Sequence, residues 1–195
     1  MNTSPNYEAS FFTGPLTLDQ KIDLFEDRII GWKFQIADIM INGGTDILGN
    51  EHEKGIHGSG FAVLDIVFSY FELIAKYYDG YTGDKESSFY FKKGVKLVFP
   101  NLENTSKNVV DGLLNILYKD CRCRLYHAGL TSGRILLTHE FPGPIGYDQT
   151  NQSLIINPHK LPTALQEHFK SYIFQLRDKN KTVLRDNFEK RFDCL

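Results

Sequence analysis

The chain has 195 residues, of which 42% are hydrophobic and 24% are charged, and its formal net charge is −2. This length and composition fit one ordinary domain with a sizeable core, and they exclude a disordered chain, a fibre and a strongly basic nucleic-acid binder. A local basic patch is compatible with a near-neutral total, because a phosphate site needs only a few cations. We therefore expect a single domain over residues 1–195.

The first predicted helix runs from about Thr17 to Met40. Thr17-Leu18-Asp19-Gln20 has the form of a capping box, in which the first and last side chains each bond to the other residue's backbone N–H. Residues 42–60 contain six glycines and predict a surface loop after this helix. The apolar residues that define the helix are Ile22, Phe25, Ile29, Trp32, Phe34, Ile36 and Ile39.

Two further helices are predicted in the middle of the chain. Helical spacing of apolar residues predicts one from Phe61 to Tyr78, which Asp79-Gly80 ends. A shorter helix from Glu86 to Phe99 ends before Pro100, because a residue that precedes proline disfavours the helical conformation. The apolar positions of the longer helix are Phe61, Leu64, Phe68, Phe71 and Ala75.

A fourth predicted helix begins near Ser106 and ends near Ala128-Gly129. Serine is a favoured N-cap residue, and glycine readily adopts the left-handed conformation that terminates a helix. The buried side of this helix is expected to carry Val109, Val110, Leu113, Leu114, Leu117 and Tyr118.

The last third of the chain predicts a small β appendage and a final helix. Ile135-Leu136-Leu137 and Leu154-Ile155-Ile156 are short apolar runs flanked by turn residues, and we predict that they form an antiparallel hairpin over about 134–157. A C-terminal helix is expected over about 161–180, with Pro162 in its first turn. The charged tail that follows is interpreted as a solvated helix. The predicted fold class is mainly α, a helical bundle with a β-hairpin appendage.

Targeting signals and disulfide patterns are not found in the sequence. The N-terminal MNTSPNYEASFF lacks a basic segment followed by an apolar run, and charged residues interrupt every apolar stretch well short of the roughly 20 residues that span a bilayer. Cys121, Cys123 and Cys194 are too few for a disulfide framework and indicate reduced thiols. We therefore expect a cytoplasmic protein without a membrane partner.

Arg122 and His127, at the end of the fourth predicted helix, are the main candidates for chemistry. Arginine binds phosphate oxygens through a planar charged fork, and histidine takes or gives a proton near neutral pH. Five positions apart on a straight α-helix, the two side chains would be about 140° out of alignment, so they converge only if the helix tightens or ends between them. The alternative is structural, with Arg122 capping helix carbonyls and His127 at a helix end.

A basic and aromatic surface surrounds this pair in the sequence. Lys119, Arg122 and Arg124 would form a cationic patch, and Tyr118 and Tyr126 would stack on bases. That combination suits single-stranded RNA, whereas the alternative is an ordinary solvated helix face.

The run from Leu117 to Gly129, LYKDCRCRLYHAG, resembles the signature of HEPN domains (higher eukaryotes and prokaryotes nucleotide-binding). That signature is an arginine and a histidine separated by a few residues near the end of a bundle helix. Arg122 and His127 match its two positions, residues 61–129 would form the motif core, and the last helix would complete the bundle. Active members commonly have Asn, Asp or His directly after the arginine, whereas this chain has Cys123.

The resemblance implies metal-independent endoribonuclease activity on single-stranded RNA in a toxin–antitoxin, phage-defence or CRISPR-linked system. It implies catalytic roles for Arg122 and His127, no cofactor, and an antitoxin protein as a partner. Because one such pair supplies only one proton-transfer group, we expect a homodimer with a composite cleft, into which both side chains face. The alternative is a non-catalytic HEPN-like protein that binds a nucleotide or a partner.

A metal site is the remaining alternative considered. His52-Glu53-Lys54-Gly55-Ile56-His57 superficially resembles a zinc-protease helix, but its histidines are five positions apart, whereas that motif places them four apart on one face. A loop site formed by His52, Glu53 and His57 remains open as a hypothesis. We predict a protein without a metal.

Overall fold

The computed structural model describes residues 2–8, 14–46 and 49–194, which are mainly helical with short strand pairs. The predicted fold class, mainly α with a small β appendage, is confirmed, and its assignment to the HEPN bundle stays a prediction. Within the described part of the chain, no helix combines the length and apolar character needed to cross a membrane. The α-helices are α1 (Leu18–Ile29), α2 (Ile36–Asn42), α3 (Gly60–Asp79), α4 (Ser87–Val98), α5 (Lys107–Ile116), α6 (Arg124–Ala128), α7 (Lys160–Arg177) and α8 (Thr182–Phe192).

The described residues divide into two compact units. The terminal unit combines both ends of the chain with a short internal segment, and the motif unit contains the Arg122–His127 motif. The single-domain assignment of residues 1–195 stays a prediction. The terminal unit comprises Met1–Ile56, Lys76–Gly83 and Gln166–Leu195, and the motif unit comprises His57–Ala75 and Asp84–Leu165.

The first helix begins at the predicted capping box. The Thr17 side chain accepts a hydrogen bond from the Gln20 backbone N–H, and the Gln20 side chain accepts one from the Thr17 backbone N–H. The helix then continues through a π-helical segment, Ile30–Gln35, into α2. A π segment shifts the face of every residue that follows it. Trp32, within this segment, and Ile36, directly after it, were predicted on the apolar side but are 43% and 39% exposed.

Aromatic side chains form much of the core of the terminal unit. The Phe25 ring lies 4.3 Å from that of Tyr77 and 5.4 Å from that of Phe188, measured between ring centres. Phe188 belongs to α8, so the charged tail is a helix as predicted, but one of its faces is buried in the core. Burial lowers the pKa of His168 to about 4, which indicates a neutral, structural histidine in α7.

Close packing of α3 against α4 defines the core of the motif unit. The rings of Phe71 and Phe91 are 5.4 Å apart, and Phe91 in turn lies 5.5 Å from Tyr118. A Cβ atom added to Gly94 would lie within 3.0 Å of the backbone carbonyl of Phe71. Only glycine lets the two backbones approach this closely.

The β appendage differs from the predicted hairpin. It has three strands, β5 (Ile135–Leu137), β6 (Ile145–Asp148) and β7 (Ser153–Ile156), in the order β5-β7-β6. The antiparallel pairing predicted for β5 and β7 is wrong, since their register, with Ile135 opposite Leu154, is parallel. The antiparallel partner of β7 is β6.

The connection between β5 and β7 explains this pairing. A parallel pair needs a long crossover, and residues 138–152 provide one that also contains β6. The turn from β6 to β7 is held by Asp148, whose carboxylate accepts hydrogen bonds from the backbone N–H groups of Thr150 and Asn151. The Asp148-to-Gln152 turn residues were the sequence signal for this missed hairpin.

The glycine-rich loop contains a short ladder that was not predicted. Gly44–Thr45 (β3) pairs antiparallel with Glu51–His52 (β4). At the N-terminus, Asn2–Ser4 (β1) likewise pairs with Tyr7–Glu8 (β2). Both ladders belong to the terminal unit.

Candidate functional site

A continuous helical segment carries the candidate site. It runs from Lys107 to Ala128 as α5, a π-helical segment Leu117–Cys123 and α6, which confirms the predicted fourth helix. Gly129 caps its end at φ 68°, in the left-handed conformation expected for glycine. Leu113, Leu114 and Leu117 are buried as predicted, at 7%, 2% and 0% exposure.

The π-helical segment changes the geometry of the motif. Arg122 and His127 were expected to converge only if the helix tightened or ended between them, but the helix widens up to Cys123 and ends at Gly129. In a π-helical turn the hydrogen bond joins residues five apart, so such residues lie closer to one face than on an α-helix. The π-helical segment ends one residue after Arg122, and the residues from Arg124 to His127 are α-helical.

The Arg122 guanidinium lies against two tyrosine rings. Its Cζ atom is 6.0 Å from the ring centre of Tyr118 and 5.4 Å from that of Tyr126. These tyrosines lie four positions before and after the arginine, which places all three side chains on one helix face. Distances of this size are typical of cation–π contacts, so the rings hold the charged group while 28% of the side chain stays exposed.

Glu72, on α3, forms an ion pair with Arg122 that the sequence did not predict. Its Oε2 atom lies 3.5 Å from Nη2 of Arg122, at the outer limit of a hydrogen bond. The same carboxylate oxygen accepts a short hydrogen bond from the Ser87 hydroxyl at the start of α4. Glu72 is thus held by α4 and contacts Arg122 only loosely.

His127 is exposed to solvent and contacts Tyr126. The imidazole ring meets the Tyr126 ring edge to face, with 5.0 Å between their centres. Since Arg122 lies over the same tyrosine, its guanidinium cannot be farther from the imidazole than the sum of these two distances. Tyr126, itself 72% exposed, thus links the two side chains of the motif.

The other predicted substrate-binding cations lie around the same helix. Lys119 and Arg124 are both exposed. Arg124 lies two positions after Arg122, and residues two apart on a helix do not face each other. Asp120, directly after Lys119, forms an ion pair with Arg134, which precedes β5. Their roles in substrate binding stay predictions.

The cysteines differ in their surroundings. Cys121 is fully buried, and burial raises the pKa of its thiol far above the ordinary range. A thiol that stays protonated is a poor nucleophile and a poor metal ligand, so Cys121 belongs to the core. Cys123 is half-buried beside Arg122.

Among the described residues, no group of three or more His, Cys, Asp or Glu side chains could hold a metal ion. In the glycine-rich loop, His52 contacts Asp46 instead, with 3.1 Å between Nε2 and Oδ2. His52 and Glu53 belong to the terminal unit and His57 to the motif unit, so the loop site from these three residues stays a hypothesis.

The sequence missed Glu72 and Ser87, which lie far along the chain from Arg122. Local spacing carries no signal for such contacts, because only the packing of α3 and α4 creates them. Comparison with known proteins identifies no further functional residue. No family model matches the chain, and neither a curated protein nor a solved structure matches it.

Proposed function

We propose that the chain is a metal-independent endoribonuclease of the HEPN type that cleaves single-stranded RNA. The observation that carries the proposal is the contact of both Arg122 and His127 with Tyr126 at the end of a long helix. One group is a permanent cation, the other transfers protons near neutral pH, and both keep contact with solvent.

The proposed chemistry uses these groups, from two copies of the chain, and the substrate. Arg122 binds the non-bridging oxygens of the scissile phosphate and stabilises the charge that develops on them. The ribose 2′-oxygen attacks phosphorus after losing its proton to a base, and the 5′-oxygen leaves with a proton from an acid. The products are a 2′,3′-cyclic phosphate and a free 5′-hydroxyl. The exposed ring of Tyr126 is available to stack on a neighbouring base.

The Glu72 ion pair fits a phosphate-binding role for Arg122. A contact at 3.5 Å orients the guanidinium without using its full hydrogen-bonding capacity. Of the five N–H donors on arginine, most remain available to a phosphate. Glu72 in this proposal is a positioning residue and takes no part in proton transfer.

Cleavage in the presence of a chelator tests the proposal. We expect the purified chain to cut a mixed single-stranded RNA pool in EDTA and to leave DNA of the same sequence intact, because DNA lacks the attacking hydroxyl. Mass spectrometry of the fragments should identify 2′,3′-cyclic phosphate ends. Intact RNA at high protein concentration, or fragments with 5′-phosphate ends, would contradict the proposed mechanism.

The proposal includes a homodimer, since one His127 cannot be base and acid at once. Leu130, which follows α6 and is 61% exposed, is an apolar residue near the motif that a second copy would cover. We expect sedimentation at about 50 µM to give a dimer, and Leu130→Glu to weaken it and to slow cleavage. Phe89→Glu, at a residue 57% exposed on α4, is the matched control. A monomer that cleaves RNA would exclude the composite site.

A second candidate function is non-catalytic binding of a nucleotide or a protein partner. Two observations favour it: Glu72 partly neutralises Arg122, and Cys123 stands where active HEPN members commonly have a polar residue. Binding of RNA or a nucleotide without cleavage would support this function over the first. The reduced cysteines favour a cytoplasmic location, and the resemblance implies a toxin or defence component with an antitoxin protein as partner.

A further inference from the structure

His139 and His159, which lie 20 positions apart in the sequence and outside the Arg122–His127 motif, meet in the motif unit. His139 follows β5, and His159 directly precedes α7. Their ring centres are 4.2 Å apart, and the ring planes are nearly perpendicular. Both side chains belong to exposed residues, so the pair is open to solvent.

A buried asparagine holds the backbones of both histidines. Asn157 is 1% exposed, and its amide nitrogen donates hydrogen bonds to the carbonyl of His139 at 3.0 Å and to that of Phe141 at 2.7 Å. Its side-chain oxygen accepts hydrogen bonds from the backbone N–H groups of His159 at 3.0 Å and Lys160 at 3.1 Å. One side chain therefore holds the backbones of the two histidines close together.

Lys160 and Glu140 are the charged residues next to the two histidines in the sequence. The Lys160 ammonium donates a hydrogen bond to the carbonyl of Pro142 at 2.7 Å, which ties the 138–144 loop to the start of α7 a second time. Glu140 is exposed beside His139. One imidazole lies on this hydrogen-bonded loop and the other at the start of a helix. Imidazole nitrogen is a ligand that zinc, copper and nickel ions prefer.

We propose that His139 and His159 together bind one divalent transition-metal ion, with water or a small ligand in its remaining positions. At a zinc–nitrogen distance of about 2.0–2.1 Å, two imidazoles on a tetrahedral ion have ring centres roughly 5 Å apart. The observed 4.2 Å separation is close to that value. Rotation about the χ1 torsion of an exposed histidine would move its ring centre the remaining distance, and rotation about χ2 would turn its nitrogen toward the ion.

A metal ion with only two protein ligands would keep free coordination positions and would bind with moderate affinity. No third His, Cys, Asp or Glu joins the pair among the described residues, so the ion would keep exchangeable positions. By the usual order of metal affinities, Cu²⁺ should bind more tightly than Zn²⁺ or Ni²⁺. Binding would also pin the 138–144 loop to α7 and raise the melting temperature of the protein.

Titration of the metal-free full chain with Cu²⁺ and Zn²⁺ tests the site. We expect one Cu²⁺ per chain, with an electron paramagnetic resonance spectrum that shows imidazole nitrogen coordination. His139→Ala and His159→Ala should each weaken binding by about 10-fold or more, while His127→Ala, which removes another exposed histidine, should leave it unchanged. Circular dichroism checks that each variant is folded.

Three outcomes would overturn the proposal. The first is binding weaker than about 0.1 mM in the wild type. The second is binding in both alanine variants that is as tight as in the wild type. The third is loss of binding in His57→Ala, which would assign the metal to the glycine-rich loop. Because RNA cleavage is expected in EDTA, this site and the proposed ribonuclease site can fail independently.

Discussion

Replacing His127 with alanine is expected to slow RNA cleavage by roughly 10²–10⁴-fold, the range typical of general acid–base catalysis. The substitution removes the proton-transfer group of the proposed mechanism. It should leave stability nearly unchanged, because His127 is exposed and its ring meets that of Tyr126, itself exposed, edge to face. Initial rates on a defined RNA substrate, with a melting curve for each protein, measure both effects. His57→Ala, at another exposed histidine of the motif unit, is the matched control.

Arg122 variants separate charge from hydrogen-bonding geometry at the same site. Arg122→Ala should cost on the order of 10²–10³-fold in rate, as does loss of one donor that stabilises a transition state. Arg122→Lys keeps the charge but loses the planar fork, so we expect it to recover only part of the rate. Cleavage that survives both the His127 and Arg122 substitutions would locate the active site elsewhere.

Gly94→Ala is expected to destabilise the motif unit by about 3 kcal/mol or more, at or above the upper end of overpacking effects. Alanine is a better helix former than glycine by about 1 kcal/mol, so an exposed site would gain stability. At Gly94, however, the added methyl group would overlap the backbone carbonyl of Phe71. A backbone carbonyl cannot swing aside as a side chain can, and α3 and α4 must therefore separate. Urea denaturation of the wild type and the variant measures the difference.

Gly112→Ala is the control for this substitution. Gly112 also lies within a helix, α5, but the nearest atom to an added Cβ is the terminal hydroxyl of Tyr147 at 3.0 Å. A flexible side chain can move, so we expect no loss of stability and up to about 1 kcal/mol of gain. Equal stability of Gly94→Ala and the wild type would mean that α3 and α4 do not pack as described.

The helices could be predicted from the sequence because their signals are local. The Thr17 capping box, the stop before Pro100 and the left-handed cap at Gly129 each act within about one helical turn. Apolar spacing identified the buried side of the long motif helix, including Leu113 and Leu117. The Arg122–His127 motif was visible for the same reason, as a pattern within a single helix.

The strand pairing could not be predicted from such signals. Apolar runs at β5 and β7 identified two strands but not their direction, because parallel and antiparallel pairs bury similar side chains. The direction depends on the path of the connection, and β6, within it, takes the antiparallel position beside β7. The π-helical segments are a further departure from the expected α geometry, and they changed which side chains share a face.

By itself, the sequence determined the mainly helical fold class, the helix ends and the position of the Arg–His motif, all of which depend on neighbours a few residues apart. Tertiary structure decided which groups surround that motif. Glu72 lies 50 positions from Arg122 in the chain and meets it through the packing of α3. Asn157 likewise holds His139 from 18 positions away. Contacts at such separations have no local pattern, since they form only when buried apolar surfaces bring distant segments together.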